Sequence, residues 1–341
     1  MTKRKSELSL MNILMCMLVI LVHTCSWTIN SLDKNTVQYT VMFAVWKLSQ
    51  FVVQGFIFLS AVKLFSSQKP MDYEKFLSGR YKKIVIPYIL WIIVYYIYFI
   101  RHFGYVFSFS KFGEYVAFGT ICSHFYFIVT IMQFYFNMPF FKWLVSKINP
   151  WLLSVCSVIL TILFKQFVHF QYDDRVFPAY LCYFVIGAIV GKNYEKVCSF
   201  VKKFVWLFAL LTAVTGYANF YLTHRAVVYG IAFKWLETLH LCYSLSIIFF
   251  LLGLFLLVAE GKKLCGFIAL MDRASFGMYL SHILYIYIAN DIIAKTGITD
   301  LFCAYAFRFV FTYTLTFVTC MGYTFIKEKI QNARKTARAV S

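Results

Sequence analysis

Long apolar runs alternate with short polar segments along the whole chain, and that alternation predicts the elements. Ten stretches approach the ~20 mainly apolar residues that a helix needs to cross a hydrocarbon core. They fall at about 10–28, 41–65, 84–100, 121–140, 151–168, 179–191, 204–222, 238–259, 275–294 and 303–326, the sixth being the shortest. The expected fold is all-α, a polytopic membrane helical bundle of about ten transmembrane helices. An even count puts both termini on one side. No hydrophilic stretch is long enough to fold alone, so residues 1–341 read as a single transmembrane domain with no separate soluble domain.

Composition agrees with the pattern. The chain is 61% hydrophobic, 21% aromatic and 14% charged, where soluble domains carry about 25% charged residues. The excess of Phe, Tyr and Trp fits a lipid-facing surface with interfacial belts of Tyr and Trp. Lys3, Arg4 and Lys5 ahead of the first run resemble the start of a signal peptide. The run is longer than the ~7–15 residues of a signal core, however, and leads to Trp27 rather than to a small-residue cleavage site. It reads as a retained first span.

A net charge of +19 raises the possibility of nucleic acid, and the distribution of the cations turns it down. Of the 33 Lys and Arg residues, 22 fall at the N-terminus, in alternate loops and at the C-terminus: Lys3 to Lys5, Lys69 to Lys83, Lys142 and Lys147, Lys192 to Lys203, Lys262 to Arg273, and Lys327 to Arg338. Positive residues gather on the cytoplasmic side of short loops. Both termini are therefore expected in the cytoplasm of a multi-pass cell-membrane protein, with the surplus charge facing anionic lipid. The ten cysteines are scattered with no C-x-x-C pair, so they read as small packing residues rather than metal or redox ligands.

The candidate chemistry starts in the first span. His23 lies within it, and an ionisable group at membrane depth faces a bundle interior or a wet cavity and marks function by default. Either it serves as a base, since an imidazole accepts a proton at neutral pH, or it hydrogen-bonds a neighbouring helix. Asn12 lies eleven residues earlier, about three helical turns, on the same face and roughly 16 Å away. Arg80, Lys82 and Lys83 crowd the entry to the third span. They suit the phosphates of a large anionic ligand or serve as topogenic charge. His124, Glu237 and His240 fall near the outer ends of their spans, with Glu237 and His240 on one helical face. They read as an outer vestibule for an acceptor or as residues meeting lipid headgroups. Asp173 and Asp174 read as loop charge. His282, about two turns into the ninth span from the cytoplasmic side, is expected far from His23.

Several motifs follow in a recognisable order: Glu7, Asn12 and His23; Phe56-Ile57-Phe58-Leu59-Ser60-Ala61; Phe76, Arg80, Lys83 and Pro87-Tyr88; His124-Phe125-Tyr126-Phe127 with Gln133-Phe134-Tyr135; Tyr183-Phe184-Val185-Ile186-Gly187-Ala188; and Ser275-Phe276-Gly277-Met278-Tyr279-Leu280-Ser281-His282. Together they resemble the bacterial acyltransferase 3 family of integral-membrane O-acyltransferases. The resemblance implies transfer of an acyl group, most often acetyl from acetyl-CoA, to a hydroxyl of a cell-surface polysaccharide or its lipid-linked precursor, with no metal. It also implies His23 as the catalytic residue and Arg80 and Lys83, with Lys82 beside them, as the donor-binding cations. Two positions differ from the family pattern: Asn12 stands where Arg is usual, and Ser60-Ala61 stands for Ser-Gly. About fifteen residues follow the last span, so no extracytoplasmic esterase-like domain is expected. Transfer would be direct or through a separate extracytoplasmic partner. The rival readings are a polysaccharide exporter or flippase-like transporter, and an inactive homologue acting as a scaffold.

Overall fold

The helices begin and end where local chemistry dictates. Asp72 accepts a hydrogen bond from the Lys75 N–H, Ser108 from the Lys111 N–H and Thr36 from the Tyr39 N–H, each satisfying a backbone donor at a helix start. Asn149 does the same for Trp151 and Leu152 ahead of Pro150. The computed structural model describes residues 5–67 and 70–340, so Lys3, Arg4 and Lys69 of the cytoplasmic set lie outside the described residues.

In chain order the α-helices are α1 (Ser6–Ile29), α2 (Val37–Ser49), α3 (Val52–Phe65), α4 (Tyr73–Arg80), α5 (Ile86–Phe103), α6 (Phe109–Phe118), α7 (Tyr126–Phe136), α8 (Met138–Lys147), α9 (Pro150–Phe167), α10 (Leu181–Lys192), α11 (Tyr194–Lys203), α12 (Val205–Tyr229), α13 (Leu236–Ala259), α14 (Gly266–Thr296) and α15 (Leu301–Val340). There is no strand among the described residues, as expected of an all-α membrane protein. Among the described residues seven stretches are long and apolar enough to cross a membrane: α1, α2 with α3, α4 with α5, α9, α12, α13 and α15. The other three predicted spans correspond to α7, to the short apolar stretch Phe177–Lys192, and to α14, whose first turns carry Asp272 and Arg273.

The chain forms two compact units. The first comprises Met1–Val52, Gly216–Phe233 and Phe249–Ser341. Its centre is α1, α14 and α15. Contacts between α1 and α14 keep a nearly constant residue offset, 263 for Ser9 with Asp272, 260 for Asn12 with Asp272 and 259 for Cys16 with Ser275, so these two helices run parallel. Pairs between α14 and α15 run the other way: Arg273 with Glu328, Ser281 with Cys320, Tyr285 with Thr319, Asn290 with Arg308. α15 is therefore antiparallel to both, and the start of α1 lies at the same end of the unit as Glu328. α2 turns back on α1, burying Tyr39 and Phe43 with Cys25 and Ile29, and Phe220 packs against this cluster.

The second unit comprises Val53–Thr215 and Lys234–Ile248. Here α3 and α10 meet backbone to backbone. A side chain at Gly187 would come within 2.5 Å of the Phe58 carbonyl oxygen, and one at Gly191 within 2.6 Å of that of Val62. Small residues four apart are the usual means by which membrane helices approach closely. The approach runs through these two glycines, so Ala61 is accommodated without a glycine of its own. Gly119, at φ +65°, closes α6 in the left-handed region, where a side chain would meet the Phe125 backbone at 2.8 Å.

Candidate active site

His23 lies seventeen residues past the start of α1 and His282 sixteen past the start of α14, so in two parallel helices that begin together they arrive at the same depth. Their rings are 5.2 Å apart, centroid to centroid, and inclined at 46°. This corrects the expectation that His282 is remote from His23. The apolar run suggested a span from about residue 275, but the helix starts at Gly266. Asp272 and Arg273 are carried inside it because each has partners: Asp272 accepts from Ser9 Oγ (2.9 Å) and Asn12 Nδ2 (2.8 Å), and Arg273 grips Glu328 through two bonds of 2.5 and 3.1 Å. His282 is fully buried, and its Nδ1 lies 2.8 Å from the Tyr279 carbonyl and 3.2 Å from that of Met278. Carbonyls only accept, so Nδ1 carries the proton and the ring is held by its own helix. His23 is partly exposed beside it.

Polar groups continue in both directions along this seam. Toward the start of α1, Asn12 uses both hydrogens of Nδ2, one to Asp272 and one to Ser275 Oγ at 2.9 Å. Toward the other end, the half-buried Arg308 of α15 donates Nε to Asn290 Oδ1 (2.6 Å) and Nη1 to Thr28 Oγ1 (3.1 Å).

In the second unit, Arg80 lies over two rings, 5.0 Å from the centroids of both Phe76 and Tyr135, and the Tyr135 hydroxyl is tied to Ser60 at 2.6 Å. Cation–π contacts of this kind hold a guanidinium while leaving its N–H edge available. The helix then widens into one π turn, Tyr81–Val85, in which the Ile86 N–H reaches the Tyr81 carbonyl. Pro87 accounts for it, because its ring lacks an N–H and would collide with the carbonyl four residues back. Lys82 and Lys83 are exposed on that turn. His124 is buried against Tyr95 and Phe125, with centroids 5.9 and 4.2 Å away. His240, also buried, lies 3.4 Å from Gln54 Nε2 and 3.5 Å from Ser244 Oγ. Glu237, one turn earlier, is 59% exposed and pairs with Lys165 at 2.9 Å. Among the described residues no group of three or more His, Cys, Asp or Glu is arranged to hold a metal ion.

A family model described as an acyltransferase domain matches residues 6–322, a range that contains His23, His282, Arg80 and Arg308. The chain belongs to this acyltransferase family. By family it is accordingly a multi-pass integral membrane protein. Among curated proteins it is similar to "Probable poly-beta-1,6-N-acetyl-D-glucosamine export protein" of Staphylococcus epidermidis, 26% identical over 333 residues, 88% of this chain and 85% of that protein. The protein of the same description from Staphylococcus aureus strain MSSA476 is 26% identical over 232 residues, 63% of this chain. The chain covers 65% of the length of that relative. No solved structure matches significantly.

Three members of the seam escaped the sequence reading. Asp272 was hidden because it precedes the apolar run. His282 was placed at the wrong depth for the same reason. Arg308 lies outside the cytoplasmic cation set, and seven residues of α15 precede it, about 10 Å of helix. An arginine inside an apolar run was the available signal.

Proposed function

We propose that the protein is a membrane O-acyltransferase that moves an acyl group, acetyl from acetyl-CoA, onto a hydroxyl of a cell-surface polysaccharide or its lipid-linked precursor. The pairing of His23 with His282 in the core of the first unit carries this reading. A histidine whose neighbour ring is fixed by backbone carbonyls is a pre-positioned base rather than a chance contact. Acyl-CoA supplies an activated thioester. His23 takes the proton of the acceptor hydroxyl as its oxygen attacks the thioester carbonyl, the carbon–sulfur bond breaks, and His23 returns the proton to the departing thiolate. Holding base and reactants in line lowers the barrier chiefly through orientation.

The donor's phosphates fit Arg80, Lys82 and Lys83: the first is steadied by aromatic rings with its N–H edge available, and the other two are exposed. With both termini in the cytoplasm, as the cation bias supports, these three residues face the acyl-CoA pool. Asn12 occupies the donor passage, bonded to Asp272. His124, Glu237 and His240 serve the acceptor, His240 through its polar surround of Gln54 and Ser244. The acceptor class follows the names of the staphylococcal relatives. The acyl group passes to the glycan directly or through a separate extracytoplasmic transferase.

The same names support a second reading, export of the polysaccharide itself. Mass spectrometry of surface glycans, before and after mild base, separates the two. Base-labile ester present with wild type and absent with His23→Ala and with deletion supports acyl transfer. Equal ester in all three, with less glycan at the surface in the variants, overturns it in favour of export.

A further inference from the structure

Arg308 is the charged group that the acyl-transfer mechanism leaves unused. It lies inside the first unit at the end of the seam opposite Asn12. Among the described residues no carboxylate contacts it; its partners are the neutral oxygens of Asn290 and Thr28. A guanidinium half withdrawn from water without a counter-charge is costly to keep. Arg carries five N–H donors, and the two bonds use two of them, leaving three. Asn290, whose Oδ1 is taken by Arg308, keeps Nδ2 buried with no hydrogen-bond partner among the described residues. Its two hydrogens bring the unclaimed donors to five, with no acceptor for them among the described residues.

Five unclaimed donors on neighbouring side chains and one positive charge define the missing partner as an oxyanion. A carboxylate offers about four lone-pair sites, whereas a phosphate brings three strong acceptor oxygens and up to two charges. Position adds a spacing. Thr28 lies five residues beyond His23, about 8 Å along α1, and Asn290 eight beyond His282, about 12 Å along α14.

We propose that Arg308, Asn290 and Thr28 form a phosphate-binding subsite for the acceptor, holding a phosphate group about 8–12 Å from the hydroxyl presented to His23. The assignment to the acceptor rests on the acyltransferase reading. The phosphate chemistry itself has two sources, a phosphorylated or lipid-linked acceptor and the headgroup of a bilayer phospholipid.

The test uses full-length protein in a maltoside detergent, which carries no phosphate, with inorganic pyrophosphate as probe at constant ionic strength and thermal unfolding as readout. Replacing Arg80, Lys82 and Lys83 with Gln in every sample removes the other cationic site. Pyrophosphate is expected to raise the unfolding temperature, Arg308→Gln to weaken its affinity tenfold or more, as for a charged hydrogen bond of about 1.5–3 kcal/mol, and Asn290→Leu to weaken it less. An unchanged response in both variants overturns the subsite. If Arg308→Gln does not fold, Asn290→Leu decides alone. Repeating the titration in phosphatidylglycerol nanodiscs separates the sources: a persisting response supports the acceptor, and its loss there assigns the site to bilayer phosphate and overturns the acceptor role. Binding is read without acyl transfer, so a protein that transfers nothing yet binds pyrophosphate through Arg308 keeps the phosphate site and loses the enzyme reading.

Discussion

Replacing His282 should damage catalysis without touching substrate binding. Its ring contacts His23 at 5.2 Å and is anchored by Nδ1 to two carbonyls of its own helix. His282→Ala removes a fully buried ring from beside the proposed base, so His23 gains room to rotate. Misplacement of a catalytic group by about 1 Å costs roughly 100-fold, equivalent to about 2.7 kcal/mol of transition-state stabilisation. His282→Phe keeps the ring volume and loses the anchoring N–H, whose net worth is about 1 kcal/mol. The expected order of kcat is therefore wild type, then His282→Phe at about a fifth, then His282→Ala at about a hundredth. KM for acyl-CoA should stay within about twofold, because the donor's phosphates are assigned to Arg80, Lys82 and Lys83. The assay is CoA release and base-labile ester formation in membranes normalised for protein content. Wild-type kcat in His282→Ala, with His23→Ala inactive, would refute the positioning argument. A change confined to KM would refute it equally.

Other expectations follow from the contacts. Arg80→Gln should raise KM for acyl-CoA by about 10–100-fold, and Tyr135→Phe, which keeps the ring but loses the Ser60 bond, should raise it only slightly, both read by initial rates. Asn12→Asp brings a second carboxyl group to the position 2.8 Å from Asp272 and should cost about 2–3 kcal/mol of stability, whereas Asn12→Arg should fold normally, both read by thermal unfolding in detergent. Gly187→Val drives a side chain toward the Phe58 carbonyl oxygen and should cost about 3 kcal/mol through overpacking, more than the few tenths of helix propensity it gains, seen as loss of folded protein in membranes. Glu237→Gln breaks a mostly exposed ion pair with Lys165 and should change stability by less than about 1 kcal/mol.

Hydropathy marked most of the membrane helices because apolar length is what lipid demands of a span. It misjudged α14 for a physical reason: Asp272 and Arg273 are tolerated in the helix by partners in α1 and α15, and those partners are far away in the chain. The same long-range pairing hid the proximity of His282 to His23. His23 itself was legible, since a histidine inside an apolar run is conspicuous without any partner. The turn at Gln50 between α2 and α3 and the π turn before Pro87 were not placed, although the proline was a local cue for the second. Arg80 was legible as a cation; its seat between Phe76 and Tyr135 required the fold.

The parallel register of α1 and α14 makes residue spacing a ruler. Eleven residues separate Asn12 from His23 and ten separate Asp272 from His282, and the two intervals match to within about one helical rise. A substitution between these marks changes one contact. A single-residue insertion between Asp272 and His282 turns everything after it by about 100° and swings the second imidazole off the first, while the same insertion in the loop between α13 and α14 leaves the register intact. Drift in this chain is therefore expected to be permissive in residue identity and strict in helix length, with insertions and deletions confined to the connections.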